Sequence, residues 1–224
     1  MTKIKKPLSS RKKLQEPDEF ITFGARMLDL ARKNLRTIVI GLAVIIVAGA
    51  AWGYIQKRQM DRQERAAEFY QASVGRASLH VPDLLKELEI IIQDYPDTGG
   101  ALQARLYLAN VLFGERRYQE AAAAFTALGE AAPELRVLVA ENLSYCYEAQ
   151  KEYQKASAVL EPLVQDKNLP YRQELQRRQA LLYELGGEPA KALEVFKQML
   201  EEKPPADFIP YIQEKIKILA EEKT

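Results

Sequence analysis

The sequence predicts an all-α chain: one N-terminal transmembrane helix followed by a solenoid of antiparallel helical hairpins. Three observations carry this. A run of twenty residues at 37–56, TIVIGLAVIIVAGAAWGYIQ, has no charge and is almost wholly apolar. From residue 57 onward there is no alternating apolar/polar stretch bounded by hairpin turns, only stretches with apolar residues at helical spacing. Within them a set of residue types recurs every 35 or 36 positions.

At about 1.5 Å per helical residue, the apolar run spans about 30 Å, the hydrocarbon thickness of a bilayer, and a helix satisfies its backbone polar groups there. Ala48-Gly49-Ala50 has the small-x-small form of a signal-peptidase site. Against cleavage stand the 36 residues ahead of the run and its continuation through Trp52, Tyr54 and Ile55, aromatics suited to a membrane interface. Gly49 and Gly53 form a GxxxG pair that lets two spans approach as a homodimer, although glycine is common in spans and a neutral packing role is the commoner one.

Residues 1–16 are basic and polar and read as a disordered tail. Residues 17–36 follow as an amphipathic juxtamembrane helix, starting at Pro17 and Asp18, with Phe20, Phe23, Met27, Leu30 and Ala31 on one face. Ten basic against four acidic residues precede the run, so the positive-inside rule places the N-terminus in the cytoplasm and the remainder across the membrane. From residue 57 the balance reverses, to 22 basic against 27 acidic residues. Phosphate binding needs a basic patch, so no nucleic-acid partner is expected.

Enzymatic chemistry has little material. The one cysteine, Cys146, lies between Tyr145 and Tyr147 in a helical stretch and reads as a buried, inert thiol; it allows no intrachain disulfide. The one histidine, His80, sits in the loop-like LHVPD without partners for a metal site or a catalytic triad. Gly99-Gly100 and Gly186-Gly187 fall in inter-helix turns outside any phosphate-loop context. No catalytic residue, cofactor or metal is expected.

The repeat divides the rest. Residues 57–98 hold a linker helix continuing from the span and a degenerate first hairpin, with Ala72 at its small position and Pro96 at its end. Three units follow over 99–204. Tyr118, Ala121 and Phe125 recur as Tyr153, Ala156 and Leu160, then as Pro189, Ala192 and Phe196; Ala109 and Leu112 recur as Ser144 and Tyr147, then as Ala180 and Tyr183. Small residues let paired helices approach, the large ones fill the space toward the next unit, and prolines end the second helices. Residues 205–224 form a capping helix with Ile209, Ile212, Ile216 and Leu219 on one face.

This period and pattern resemble the tetratricopeptide repeat (TPR). PDEF in the tail, AAEFYQ after the span and YPDTGGALQARLYLA opening the repeats further resemble the YfgM-type ancillary subunits of the bacterial SecYEG translocon. That resemblance implies an inner-membrane protein with a periplasmic repeat domain whose partners are translocon subunits and a periplasmic chaperone. The same architecture would serve as a scaffold for cell-division or envelope and outer-membrane assembly complexes. In either case the first helices of the hairpins line a partner-binding groove, here expected to present Phe69, Ser73, Asn110, Phe113, Glu141, Tyr145, Glu148, Arg177 and Glu184. With three acidic residues, this face departs from the Lys- and Arg-rich grooves that grip a terminal carboxylate.

Overall fold

A computed structural model describes Met27, Leu28, Leu30 and residues 32–76 and 80–221. The tail and most of the juxtamembrane segment lie outside the described residues. Among the described residues ten α-helices run from Leu35 onward, Met27, Leu28, Leu30, Arg32 and Lys33 are also helical, and there is no strand. Helix α1 spans Leu35–Gly75, α2 Val81–Asp94, α3 Gly99–Gly114, α4 Tyr118–Ala131, α5 Arg136–Ala149, α6 Tyr153–Ala158, α7 Glu161–Gln165, α8 Arg172–Leu185, α9 Pro189–Glu201 and α10 Ile209–Glu221.

The chain divides into two compact units, Met1–Gln59 and Met60–Thr224. In the first, α1 is long and apolar enough to cross a membrane, and its residues from 35 to 59 are all exposed. A cleaved signal sequence passes the same test of length and composition, so the span remains a reading of the sequence.

In the second unit, from α2 onward, helices pack on their neighbours along the chain, with α6 and α7 both packing on α8, the contact pattern of a solenoid. The core runs along the stack as four clusters. The first holds Leu88, Ile91 and Ala104; the second Ala109, Leu112, Ala121, Phe125, Leu128 and Cys146; the third Ala156, Leu160, Leu163, Leu175 and Leu182; the fourth Ala180, Ala192, Phe196, Met199, Ile212 and Leu219. The recurring positions of the sequence fill these clusters: Ala109, Ser144, Ala180, Ala121, Ala156, Ala192, Phe125, Leu160 and Phe196 are all 0% exposed. Burial pushes the Cys146 thiol up to about 11. In the folded protein it is therefore expected to resist alkylation at neutral pH and to react on denaturation, which mass spectrometry after an iodoacetamide pulse would show.

The turns within the hairpins repeat in backbone detail. Arg116, Lys151 and Gly187 each take positive φ (62°, 62° and 74°). After each, the next residue's N–H donates to a carbonyl at the end of the first helix: Arg117 to Leu112, Glu152 to Tyr147 and Glu188 to Tyr183, the 6→1 bond of a Schellman cap. Only the third turn has glycine, the residue for which left-handed backbone is free of Cβ strain. Lys151→Gly is expected to raise stability by about 0.5–1 kcal/mol, because relief of strain of ~1–2 kcal/mol exceeds the added unfolded-state entropy. A higher urea midpoint would register it.

Two features depart from the ideal repeat. Pro162, which has no N–H to donate, splits the second helix of the middle unit into α6 and α7. At the break Gln179 Nε2 reaches the Ser157 carbonyl at 3.5 Å and donates to the Glu161 carboxylate. Where the two preceding units place Leu108 and Leu143, the third unit buries Gln179 on α8, with Gln176 beside it. The polar junction is completed by Arg172, which donates to the Val164 carbonyl and pairs with Glu202. Burial raises the Glu202 carboxyl, but hydrogen bonds from Arg172, Gln176 and Gln198 outweigh it and hold the group below the usual Glu range.

Candidate partner-binding surface

The small positions fix the register of the first helices: Ser73, Ala109, Ser144 and Ala180 are 0% exposed and stand 36, 35 and 36 residues apart. Ser73 is thus the helix-packing residue of the first hairpin, its Oγ buried without a hydrogen-bond partner, and does not face a groove. Ala72, expected in that role, is exposed. The slip is one residue, because the buried stripe of α1 runs through Ala66 and Ser73. Phe69 is corrected by the same register. It falls in the column of Arg105, Ala140 and Gln176, and packs half-buried on the cluster of Leu88, Ile91 and Ala104. Tyr70, one residue on, meets Tyr107 of α3 edge-to-face at 6.4 Å between ring centroids.

One turn from the small residues, the adjoining face carries Asn110, Tyr145 and Leu181 in one column and Leu106, Glu141 and Arg177 in another. Phe113, Glu148 and Glu184 form a third. Asn110 is exposed and Glu141 half-buried. Phe113 is half-buried against the second core cluster, with its ring edge-on to Tyr118 at 5.3 Å. Leu181 and Leu185, exposed at 37% and 45%, are groove-column residues that the sequence reading missed. Counting 36 residues on from Tyr145 and Ala149 reaches both.

Ion pairs between successive first helices occupy the charges of this face. Arg178 of α8 donates to Glu148 of α5 at 2.7 Å and lays its guanidinium over the Tyr145 ring at 3.5 Å. Lys215 of α10 donates to Glu184 of α8 at 2.7 Å, and Arg177 pairs with Glu174 within its own helix at 3.1 Å. Glu148 and Glu184 are therefore committed to the stack, while Arg177 stays exposed in a pair within α8. What the face offers outward is Asn110, Glu141, the open side of Tyr145, Leu181 and Leu185. Among the described residues no group of three or more His, Cys, Asp or Glu could hold a metal. Gly49 and Gly53 lie on an exposed part of α1, where an added Cβ would meet nothing within 4 Å.

A family model described as a tetratricopeptide repeat-like domain matches residues 31–221. The chain belongs to that family. No curated protein matches it. Among solved structures this TPR-like chain is similar to a tetratricopeptide repeat protein from Parabacteroides merdae, at 17% identity and a TM-score of 0.55 over 72% of this chain. The chain spans only 61% of the length of that protein. It is also similar to pilF of Pseudomonas aeruginosa (18% identity, TM-score 0.48, 74% of this chain and 70% of that one) and to MamA RS-1 (15%, 0.49, 73% and 97%). At these identities the likeness is one of fold, that of a TPR-like protein-interaction module.

Proposed function

We propose that this TPR-like chain is a membrane-anchored adaptor of the bacterial inner membrane, an accessory to the Sec translocon that also engages a periplasmic chaperone. In this reading the apolar part of α1 crosses the bilayer, the basic tail stays in the cytoplasm, and the repeat unit works in the periplasm. The observation that carries it is the extent of the family match. It begins at residue 31, ahead of α1, so the family model takes in the apolar helix as well as the repeats. The AAEFYQ and YPDTGG motifs that resemble translocon subunits lie within that span.

The mode of action is docking. With Glu148 and Glu184 each bonded to a neighbouring helix, a basic partner finds few free carboxylates. Tyr145, Leu181 and Leu185 favour an apolar partner segment instead, and the Asn110 amide can pair with its backbone. Approach of two spans through Gly49 and Gly53 would make the adaptor a homodimer.

Topology comes first: a C-terminal alkaline phosphatase fusion is expected to be active and a fluorescent-protein fusion dark, and the reverse pattern refutes the orientation. A photo-crosslinking amino acid at Asn110, in intact membranes, then tests the partner. Adducts with translocon subunits or a periplasmic chaperone support the reading. Adducts confined to division or outer-membrane assembly proteins overturn it in favour of an envelope scaffold.

A further inference from the structure

One cleft of the repeat unit departs from the apolar pattern of the repeats. It has a volume of about 260 Å³ and lies between α7, α8 and α9, of which α7 and α9 contribute nothing to the groove columns. Its most buried lining residues are Gln176 and Gln179 of α8, 2% and 3% exposed. The break at Pro162 accounts for Gln179, whose Nε2 reaches the Ser157 carbonyl there. Nothing within the chain accounts for Gln176. Its Oε1 is buried without a hydrogen-bond partner, a cost that Ala140, at the same position one unit earlier, avoids.

The hydrogen bonds around the cleft leave it rich in acceptors and poor in donors. Gln165 and Gln179 donate their amide N–H groups to Glu161, while Gln176 and Gln198 donate theirs to Glu202, which does not line the cleft. With its Nε2 turned to Glu202, Gln176 keeps Oε1 for the cleft. Two carboxylates join it. Glu161 is held by neutral amides, and among the described residues neither it nor the exposed Glu194 is paired with a basic side chain. Lys191, the one basic residue of the lining, is paired with Glu188. The cleft is therefore net negative with acceptors to spare, unlike the groove, whose Glu148 and Glu184 are bonded to neighbouring helices.

We propose that this cleft is a second partner-binding site, which seats the guanidinium group of an arginine side chain from a partner polypeptide. Guanidinium presents a planar fork of N–H donors and accepts nothing, the complement of a site whose own donors are spent. It is also less strongly hydrated than an ammonium, so it is the easier cation to bring beside a buried amide oxygen. The volume lies below the ~300–1,000 Å³ of sites for drug-sized ligands and suits a single long side chain. The inference depends neither on the reading of α1 as a span nor on what the groove binds.

The test uses the full chain in detergent micelles, isotope-labelled in its glutamine amides and followed by nuclear magnetic resonance. Acetylated argininamide is expected to shift the Gln176 and Gln179 side-chain signals saturably. Acetylated citrullinamide, of the same shape without the charge, should bind about tenfold more weakly. Glu161→Gln should weaken the arginine probe by about the same factor. Should that variant disturb the break at Pro162, as circular dichroism would show, Glu194→Gln on the exposed side of α9 should still cost about threefold. A short peptide with one arginine between alanines should bind no more weakly than the capped amino acid. Equal affinity for the arginine and citrulline probes, unchanged affinity in both variants, or no saturable shift at Gln176 would overturn the proposal. Binding of argininamide with exclusion of the peptide would assign the cleft to a small guanidinium compound and overturn the partner.

Discussion

Phe125→Ala is expected to destabilise the repeat unit by about 3–5 kcal/mol, the usual range for emptying a fully buried phenylalanine site. Phe125 is 0% exposed, and the cluster around it draws on four successive helices: Leu85 of α2, Ala109 and Leu112 of α3, Ala121 and Leu128 of α4, and Val139 and Cys146 of α5. Several of its neighbours are alanines, which cannot lean into a void, so the vacated space would stay largely empty unless whole helices moved. In a solenoid each hairpin is held mainly by the next, and loss at a junction between hairpins releases both. Hydrogen exchange should therefore accelerate across α2 to α5, with a lower urea midpoint by circular dichroism. Phe196→Ala should act more locally, because only the capping helix lies beyond it and Tyr211, edge-on at 6.0 Å, can lean into the space. An unchanged midpoint for Phe125→Ala would mean that the recurring large residue is not what joins the repeats.

That expectation was open to the sequence because Phe125, Leu160 and Phe196 stand at a fixed period and their burial follows from it. The degenerate first hairpin was less legible, since its small position had to be chosen between two adjacent small residues, Ala72 and Ser73. Local composition favours alanine, while the period counted back from Ala109 selects Ser73. The same count puts Tyr70, and not Phe69, in register with Leu106, Glu141 and Arg177, although both rings pack on the first core cluster. Missing Leu181 and Leu185 had a different cause: leucine on an amphipathic helix reads as core, and only the register of three neighbours shows that these two face outward. The roles of Glu148 and Glu184 lay beyond the sequence, because their partners Arg178 and Lys215 are 30 and 31 residues away. The buried amides of Gln176 and Gln179 likewise look like surface residues until the break at Pro162 supplies a reason for one of them. Left-handed backbone at Arg116 and Lys151 carried no signal at all, since glycine marks that turn only at Gly187.

Gly100→Ala is the second substitution expected to have a large effect, and it bears on the two motifs that first suggested a family. AAEFYQ and YPDTGG lie apart in the sequence and meet in the fold. Thr98 caps α3, its hydroxyl accepting from the Ala101 N–H at 3.2 Å and donating to the Tyr95 carbonyl at 2.7 Å, and this sets the next turn against α1. A Cβ on Gly100 would lie 2.6 Å from both the carbonyl carbon and oxygen of Ala66 and 2.9 Å from its Cβ. The obstruction is mainly backbone, which cannot rotate aside as a flexible side chain would, so the two helices must separate. Overpacking of this kind costs about 1–3 kcal/mol, and the upper end is expected where main chain is the obstacle. Separation would also strain the bonds from Gln63 to Asp97 and Gly99 that hold the chain as it enters the unit. Proteolysis and hydrogen exchange should then find the hairpin of α1 and α2 loosened while α5 to α10 keep native protection, since a solenoid transmits damage chiefly to adjacent repeats. Gly99→Ala is the control, because its Cβ would meet only the Gln63 Oε1 atom at 3.8 Å, an ordinary contact. Equal effects of the two alanines would show that the glycine pair serves backbone freedom in the turn, and that close approach to Ala66 is incidental.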